Sequence, residues 1–140
     1  MLYVTFIDPK DKKERTTQIV RPLVIGRSKG ADVNVEGDST VSRLHALIAP
    51  RLDGRLDIRD LASSAGTHIM RLGQKMRLLP EPNNAEKGRA VLFDGELFLI
   101  GRVEFKVHYK ELIGEPTLPH DYAEEMNEEI TEEIAMEDTI

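Results

Sequence analysis

Residues Val24 to Thr67 read VIGRSKGADVNVEGDSTVSRLHALIAPRLDGRLDIRDLASSAGT, and the fold turns on this stretch. Gly26-Arg27 close one short apolar run. A turn-rich segment then leads to Ser42-Arg43-Leu44-His45, at the mouth of a second run. A third run ends in Ser63-Ser64-Ala65-Gly66-Thr67. Each time, small, hydroxylated or cationic residues sit on a loop at the end of a strand-like segment, where a rigid sheet can hold binding groups in place. Inside the stretch, His45 to Arg51 and Leu56 to Leu61 flank Leu52-Asp53-Gly54. Asp-Gly favours a hairpin turn because glycine accepts positive φ without a Cβ clash.

Working outward, Leu2 to Ile7 (LYVTFI) is dense in β-branched and aromatic residues and stops at Asp8-Pro9, a strand entering a turn. Residues 10–15 (KDKKER) read as a charged loop. Thr16 to Val20 and Leu23 to Ile25 read as strands broken by Arg21-Pro22, because proline cannot donate to a ladder. Val33 to Val35 and Thr67 to Arg71 add short strands. Residues 71–90, with Pro80, Pro82 and Asn83-Asn84, read as an irregular insertion. Ala90 to Phe93, a turn at Asp94-Gly95, and Leu97 to Ile100 restore the pattern. In Val103 to Tyr109 the residues Val103, Phe105, Val107 and Tyr109 alternate with polar ones, as in a half-buried strand. About ten short strands with turn signals between them, and no long helical period, predict an all-β sandwich over residues 1–110.

The formal charge of −6 is unevenly distributed. Residues 1–110 carry all the lysines and arginines and a net +5, whereas residues 111–140 carry −11. A mildly basic body suits anionic ligands. Without cysteine there is no disulfide, thiol nucleophile or Cys-based metal site. No apolar run reaches the roughly 18–20 residues of a spanning helix, and no secretory leader is visible, so the expected setting is intracellular and away from membranes. His45, His68, His108 and His120 are scattered without ligand-type spacing, and no Gly-rich nucleotide loop is present, so no metal or cofactor is expected. Ser42 and His45 look like a nucleophile pair, but i and i+3 across a loop-to-strand junction seldom face each other. With no third residue or oxyanion hole identifiable, the chain reads as a non-enzyme.

Gly-Arg, then Ser-x-x-His, then a Ser-x-x-Gly-Thr loop resembles the forkhead-associated (FHA) domain, a family of phosphothreonine-peptide readers. The match is carried by Gly26-Arg27, by Ser42 to His45 and by Ser63 to Thr67, and it covers roughly residues 2–110. Leu92 to Gly101 match the family's closing pattern. The resemblance implies an FHA-type sandwich of about 10–11 strands and a phosphopeptide site in which Arg27 and Ser42 hold the phosphate. A guanidinium matches two phosphate oxygens as a fork, which a lysine cannot do. Arg43 or Lys29 would supply a second cation and Thr40 a further hydroxyl, with Ser64 and Ala65 beside the peptide. Gly26, His45, Gly66 and Thr67 would support the site. Ala65 departs from the pattern: the family usually has Asn there, whose side chain bonds the peptide backbone, so Ser63 or Ser64 would have to take over.

The resemblance implies a threonine-phosphorylated protein as partner, in a signalling complex, with no direct nucleic acid. The runs DSTVSRLHA and GRVEFKVHYKEL are further similar to the FHA domains of nibrin-type DNA double-strand-break repair proteins, which would imply a nuclear DNA-damage-response setting. The alternative is a degenerate FHA fold serving phosphate-independent interaction or dimerisation. In a third reading the acidic tail binds basic proteins. Residues 111–140 are expected to be disordered: like-charge pairs such as Glu124/Glu128 oppose the helix that Tyr122, Met126, Ile130 and Ile134 would otherwise trace. Thr131, with Ile134 three residues on, is a candidate phosphosite that could serve as a ligand in cis or trans.

Overall fold

Strand-forming runs and turn chemistry generate eleven strands in the computed structural model, which describes residues 1–80 and 88–110. The strands are β1 (Leu2–Ile7), β2 (Glu14–Gln18), β3 (Leu23–Gly26), β4 (Val33–Asn34), β5 (Ala46–Pro50), β6 (Leu56–Asp60), β7 (Thr67–Arg71), β8 (Gln74–Arg77), β9 (Arg89–Leu92), β10 (Leu97–Ile100) and β11 (Val103–Tyr109). They form two sheets, a six-stranded one in the order β2-β1-β11-β10-β7-β8 and a five-stranded one in the order β4-β3-β5-β6-β9. Pairing is antiparallel except for β3 with β4. The fold is the all-β sandwich that the turn spacing predicts. Leu2–Tyr109 form one compact unit. The tail 111–140, including Thr131, lies outside the described residues.

The core is built from inward residues of both sheets. Val4, Phe98, Ile100, Phe105 and Val107 line one side, and Ile25, Ala46, Ile48, Leu56, Ile58 and Leu92 the other, all fully buried. Phe105 stacks between Phe6 and Phe98 at centroid separations of 4.5 and 5.0 Å, the offset range that favours aromatic pairs. Tyr109 closes the end away from the 27–45 loops. Its hydroxyl accepts from Leu56 N and donates to the Leu92 carbonyl, joining the two sheets.

Two elements differ from expectation. Strand β2 begins at Glu14 rather than Thr16, inside the expected charged loop. Asp8 N–H donates to Lys13 O and Lys12 N–H to Asp8 O, closing a tight turn that sets Glu14 opposite Ile7 and Arg15 opposite Phe6. β2 is an edge strand, so its polar side chains stay in water. Strand β8 falls within residues 71–90, read as irregular. It is an edge strand with all four residues exposed, joined to β7 by Leu72 (φ 50) and Gly73 (φ 74). Two left-handed residues make the two-residue hairpin turn whose twist suits antiparallel strands. The sequence lacks the apolar alternation that would reveal such a strand.

Candidate functional site

Gly26 explains how two of the loops meet. A Cβ on it would lie 1.9 Å from the Arg43 carbonyl oxygen, so only glycine lets the β3 end approach the 42–44 segment. The closeness is used: Arg27 N–H donates to Ser42 O (2.9 Å), Ser28 N–H to Arg43 O (3.1 Å) and His45 N–H to Ile25 O (2.8 Å). Arg27 and Ser42 therefore sit side by side on a zipped pair of loops. Asn34 Nδ2 ties the far side of the first loop by donating to the carbonyls of Arg27 and Ser28.

The Arg27 side chain is exposed, yet its Nε–H donates to Val41 O at 2.8 Å. That bond holds the guanidinium in place and leaves its two terminal amino groups unbonded among the described residues, a pre-organised fork. The Ser42 hydroxyl accepts from Ser64 N–H at 3.3 Å, which leaves its own O–H to donate. Lys29 and Arg43 are exposed beside them. No ion pair among the described residues ties down Arg27, Lys29, Arg43 or Arg77, in contrast to Arg71, which is paired with Glu96. Among the described residues, these are four cations at this end of the sandwich without an ion pair.

His45 is fully buried and bridges the second and third loops. Its Nδ1 lies 2.9 Å from Ser42 N and its Nε2 lies 2.9 Å from Gly66 O. A backbone N–H can only donate, so Nδ1 is the acceptor and the proton resides on Nε2, which donates to Gly66 O. Burial pushes the imidazole pKa below its ordinary value, against the Gly66 carbonyl and the Asp60 charge, and keeps the ring neutral. Both ring nitrogens are engaged, so His45 has no lone pair with which to act as a base toward Ser42.

The third loop hangs on Asp60. The Leu56, Ile58, Asp60 alternation turns this carboxylate inward, where it accepts from Ser63 N (2.9 Å), Ser63 Oγ (2.6 Å) and Thr67 Oγ1 (2.7 Å). Ser63 Oγ in turn accepts from Gly66 N. Ser63 is thus buried in the loop's own scaffold, while Ser64 is exposed and Ala65 half-buried at its outer side. Gly66 holds φ +94. Thr40 is engaged in full: its hydroxyl donates to Asp38 (2.5 Å) and accepts from Arg102 N (2.9 Å). These Thr40 hydrogen bonds hold the Asp38 carboxyl below its usual range. Gly101, at φ +61, packs against Thr40, and its N–H donates to Gly66 O.

The structure therefore brings Arg27, Lys29, Ser42, Arg43, Ser64 and Ala65 to one end of the sandwich, over a frame of Gly26, His45, Gly66 and Thr67. Thr40 belongs to that frame, since its one proton is already donated. Sequence reading missed Asn34, Asp60 and Arg77. Asp60 carried a signal, an acid at a core-facing strand position, which must find partners to be buried. Among the described residues no group of three or more His, Asp or Glu could hold a metal ion, and no helix is long and apolar enough to cross a membrane.

Comparison with known proteins agrees with this geometry. No curated protein matches the chain. Among solved structures, the FHA domain of the CT664 protein from Chlamydia trachomatis is similar, with TM-score 0.60 and 19% identity over 79% of this chain and 98% of that one. An FHA domain from a structural and functional analysis of phosphothreonine-dependent FHA interactions gives 0.56 and 23%, over 79% and 98%. Mycobacterium tuberculosis EmbR in complex with a low-affinity phosphopeptide gives 0.55 and 24%, over 79% of this chain and 25% of EmbR. At these identities the likeness is one of fold, and none of it supports the nearer, nibrin-type affinity. The family-level match is direct: the FHA domain model covers residues 23–101, more than half of the sequence. The chain belongs to the FHA-domain family, whose members are phosphopeptide-binding modules and not enzymes.

Proposed function

We propose that the protein is a phosphothreonine-peptide reader that recruits a threonine-phosphorylated protein into a signalling complex. Arg27 and Ser42 hold the phosphate, and Arg43 and Lys29 supplement the charge. The observation that carries this reading is the pairing of a pre-oriented, unpaired guanidinium with a hydroxyl whose proton is undonated, on loops locked backbone to backbone. A doubly charged phosphate with three acceptor oxygens suits that donor set. A phosphothreonine-dependent FHA domain and the phosphopeptide complex of EmbR are similar in fold, which supports the same ligand class here. Ala65 supplies no side-chain hydrogen bond, so the grip on the peptide backbone rests on Ser64 and on main-chain groups.

Fluorescence anisotropy with matched threonine and phosphothreonine peptide libraries tests the reading. Binding that requires the phosphate and is lost in Arg27→Ala is expected. Equal binding of both libraries favours the phosphate-independent interaction module.

A further inference from the structure

Arg77 closes the β8 edge strand beside the third loop, and nothing in the sequence pattern singled it out. The register sets Arg77 opposite His68, and Leu78 N–H donates to Thr67 O at 2.9 Å, so this end of β8 is anchored where the loop becomes β7. From there the guanidinium lies across Gly66. A Cβ on that glycine would be 2.6 Å from Arg77 Nε and 2.9 Å from Cζ. The space that the glycine leaves open is the space the arginine fills. One terminal nitrogen donates to Ser64 O at 3.3 Å, and no ion pair ties the rest. Since Ser64 N–H in turn donates to Ser42 Oγ, one residue links Arg77 to the proposed phosphate site.

We propose that Arg77 is a specificity-determining residue that reads a second anionic group on the ligand, a carboxylate or a second phosphoryl, close to the phosphothreonine. The inference rests on the phosphopeptide reading above and deepens it. Ala65, next to Gly66, has no polar side chain, so Arg77 is the long donor on this flank of the loop. A guanidinium carries five N–H donors, and with one bonded to Ser64 the remainder form a fork for a planar or tetrahedral anion. His68 faces Arg77 across the β7–β8 pair. Its ring is driven toward the neutral form by burial first and then by Lys75 and Arg77.

The test measures wild type, Arg77→Ala and Arg77→Glu against one phosphothreonine peptide scaffold. Asp, Glu, phosphoserine, Lys, Arg or a neutral residue is placed in turn at each position within three residues of the phosphothreonine. Wild type should prefer an anion at one position by about fivefold over the neutral peptide, the scale of one solvent-exposed charge-assisted contact. The carboxylate and phosphoserine arms show which source is preferred. Arg77→Ala should bind the neutral phosphopeptide within about threefold of wild type but lose the preference, and Arg77→Glu should reverse it toward Lys or Arg. A preference that survives in both variants, or an equal loss for every peptide, overturns the assignment of Arg77. Phosphate-dependent binding with no anion preference in wild type overturns this inference alone. No phosphate-dependent binding at all overturns the phosphopeptide reading and this inference with it.

Discussion

At the scale of single residues, the site works by committing some groups and leaving others open. His45, Asp60, Ser63 and Thr40 have their polar atoms engaged within the protein, whereas Arg27 and Ser42 each keep donors that face outward. Arg27→Ala should therefore abolish phosphopeptide binding, a loss of at least about 2–3 kcal/mol, while the fold survives with at most about 1 kcal/mol lost with the Val41 carbonyl bond. Titration calorimetry and a thermal melt check the two halves. His45→Ala should do the reverse. It leaves Ser42 N without an acceptor and Gly66 O with only the Gly101 N–H, and it empties a buried ring site, so unfolding should become easier by about 2–4 kcal/mol in urea titrations. Ala65→Asn restores the residue usual in the family and should strengthen binding by up to about 1.5 kcal/mol. An unchanged affinity would show that the loop cannot present the amide. The open residues were legible in the sequence because loops advertise them through Gly-Arg and Ser-x-x-His. Of the committed ones Asp60 escaped notice, because its partners Ser63 and Thr67 lie in and at the end of an irregular loop that no sequence period marks.

At the scale of elements, the loops are held by each other as much as by the strands. Three backbone hydrogen bonds zip residues 25–28 to residues 42–45, and the contact exists only because Gly26 has no Cβ. Gly26→Ala forces a methyl group onto a carbonyl oxygen, which cannot swing aside as a side chain could. It should destabilise the domain by about 1–3 kcal/mol and weaken phosphopeptide binding, both readable on one urea and calorimetry series. The same scale shows where sequence reading fails. The inner strands announce themselves through alternation, as in Val103, Phe105 and Val107. The edge strand β8 (QKMR) does not, and β2 (ERTTQ) shows its presence but not its start, because water takes their side chains and the hairpin turns fix their register. That β8 was hidden is why Arg77 was hidden with it.

At the scale of the whole molecule, one sandwich end concentrates cations while the core provides the rigidity that holds them. The charge also gives the fold a pH response. His45 and His68 have pKa values below 6.5 in the folded protein, chiefly through burial, so the unfolded chain takes up protons first as the pH falls. Stability from these groups is fully present above the unfolded-state value and is lost as the pH drops from there toward the folded-state values. Urea unfolding at about pH 7.5 and about pH 5.5 should show lower stability at the acidic point. The acids Asp38 and Asp53 are shifted downward, so their contribution is lost only at still lower pH, below about 4.

The proposed phosphate site is a place as well as a ligand preference, and chemical-shift mapping reads both at once. In a titration with a phosphothreonine peptide, the backbone amides of residues 27–29, 42–43 and 63–66 should move, together with the Arg27 Nε–H. The unphosphorylated peptide should leave them still. A competing surface is the groove of about 490 Å³ on the five-stranded sheet, lined in part by Arg51, Asp57, Arg59 and Arg89. Phosphate-dependent shifts centred there, with residues 27 and 42 unmoved, would place the phosphate away from Arg27 and Ser42 and overturn the proposed site.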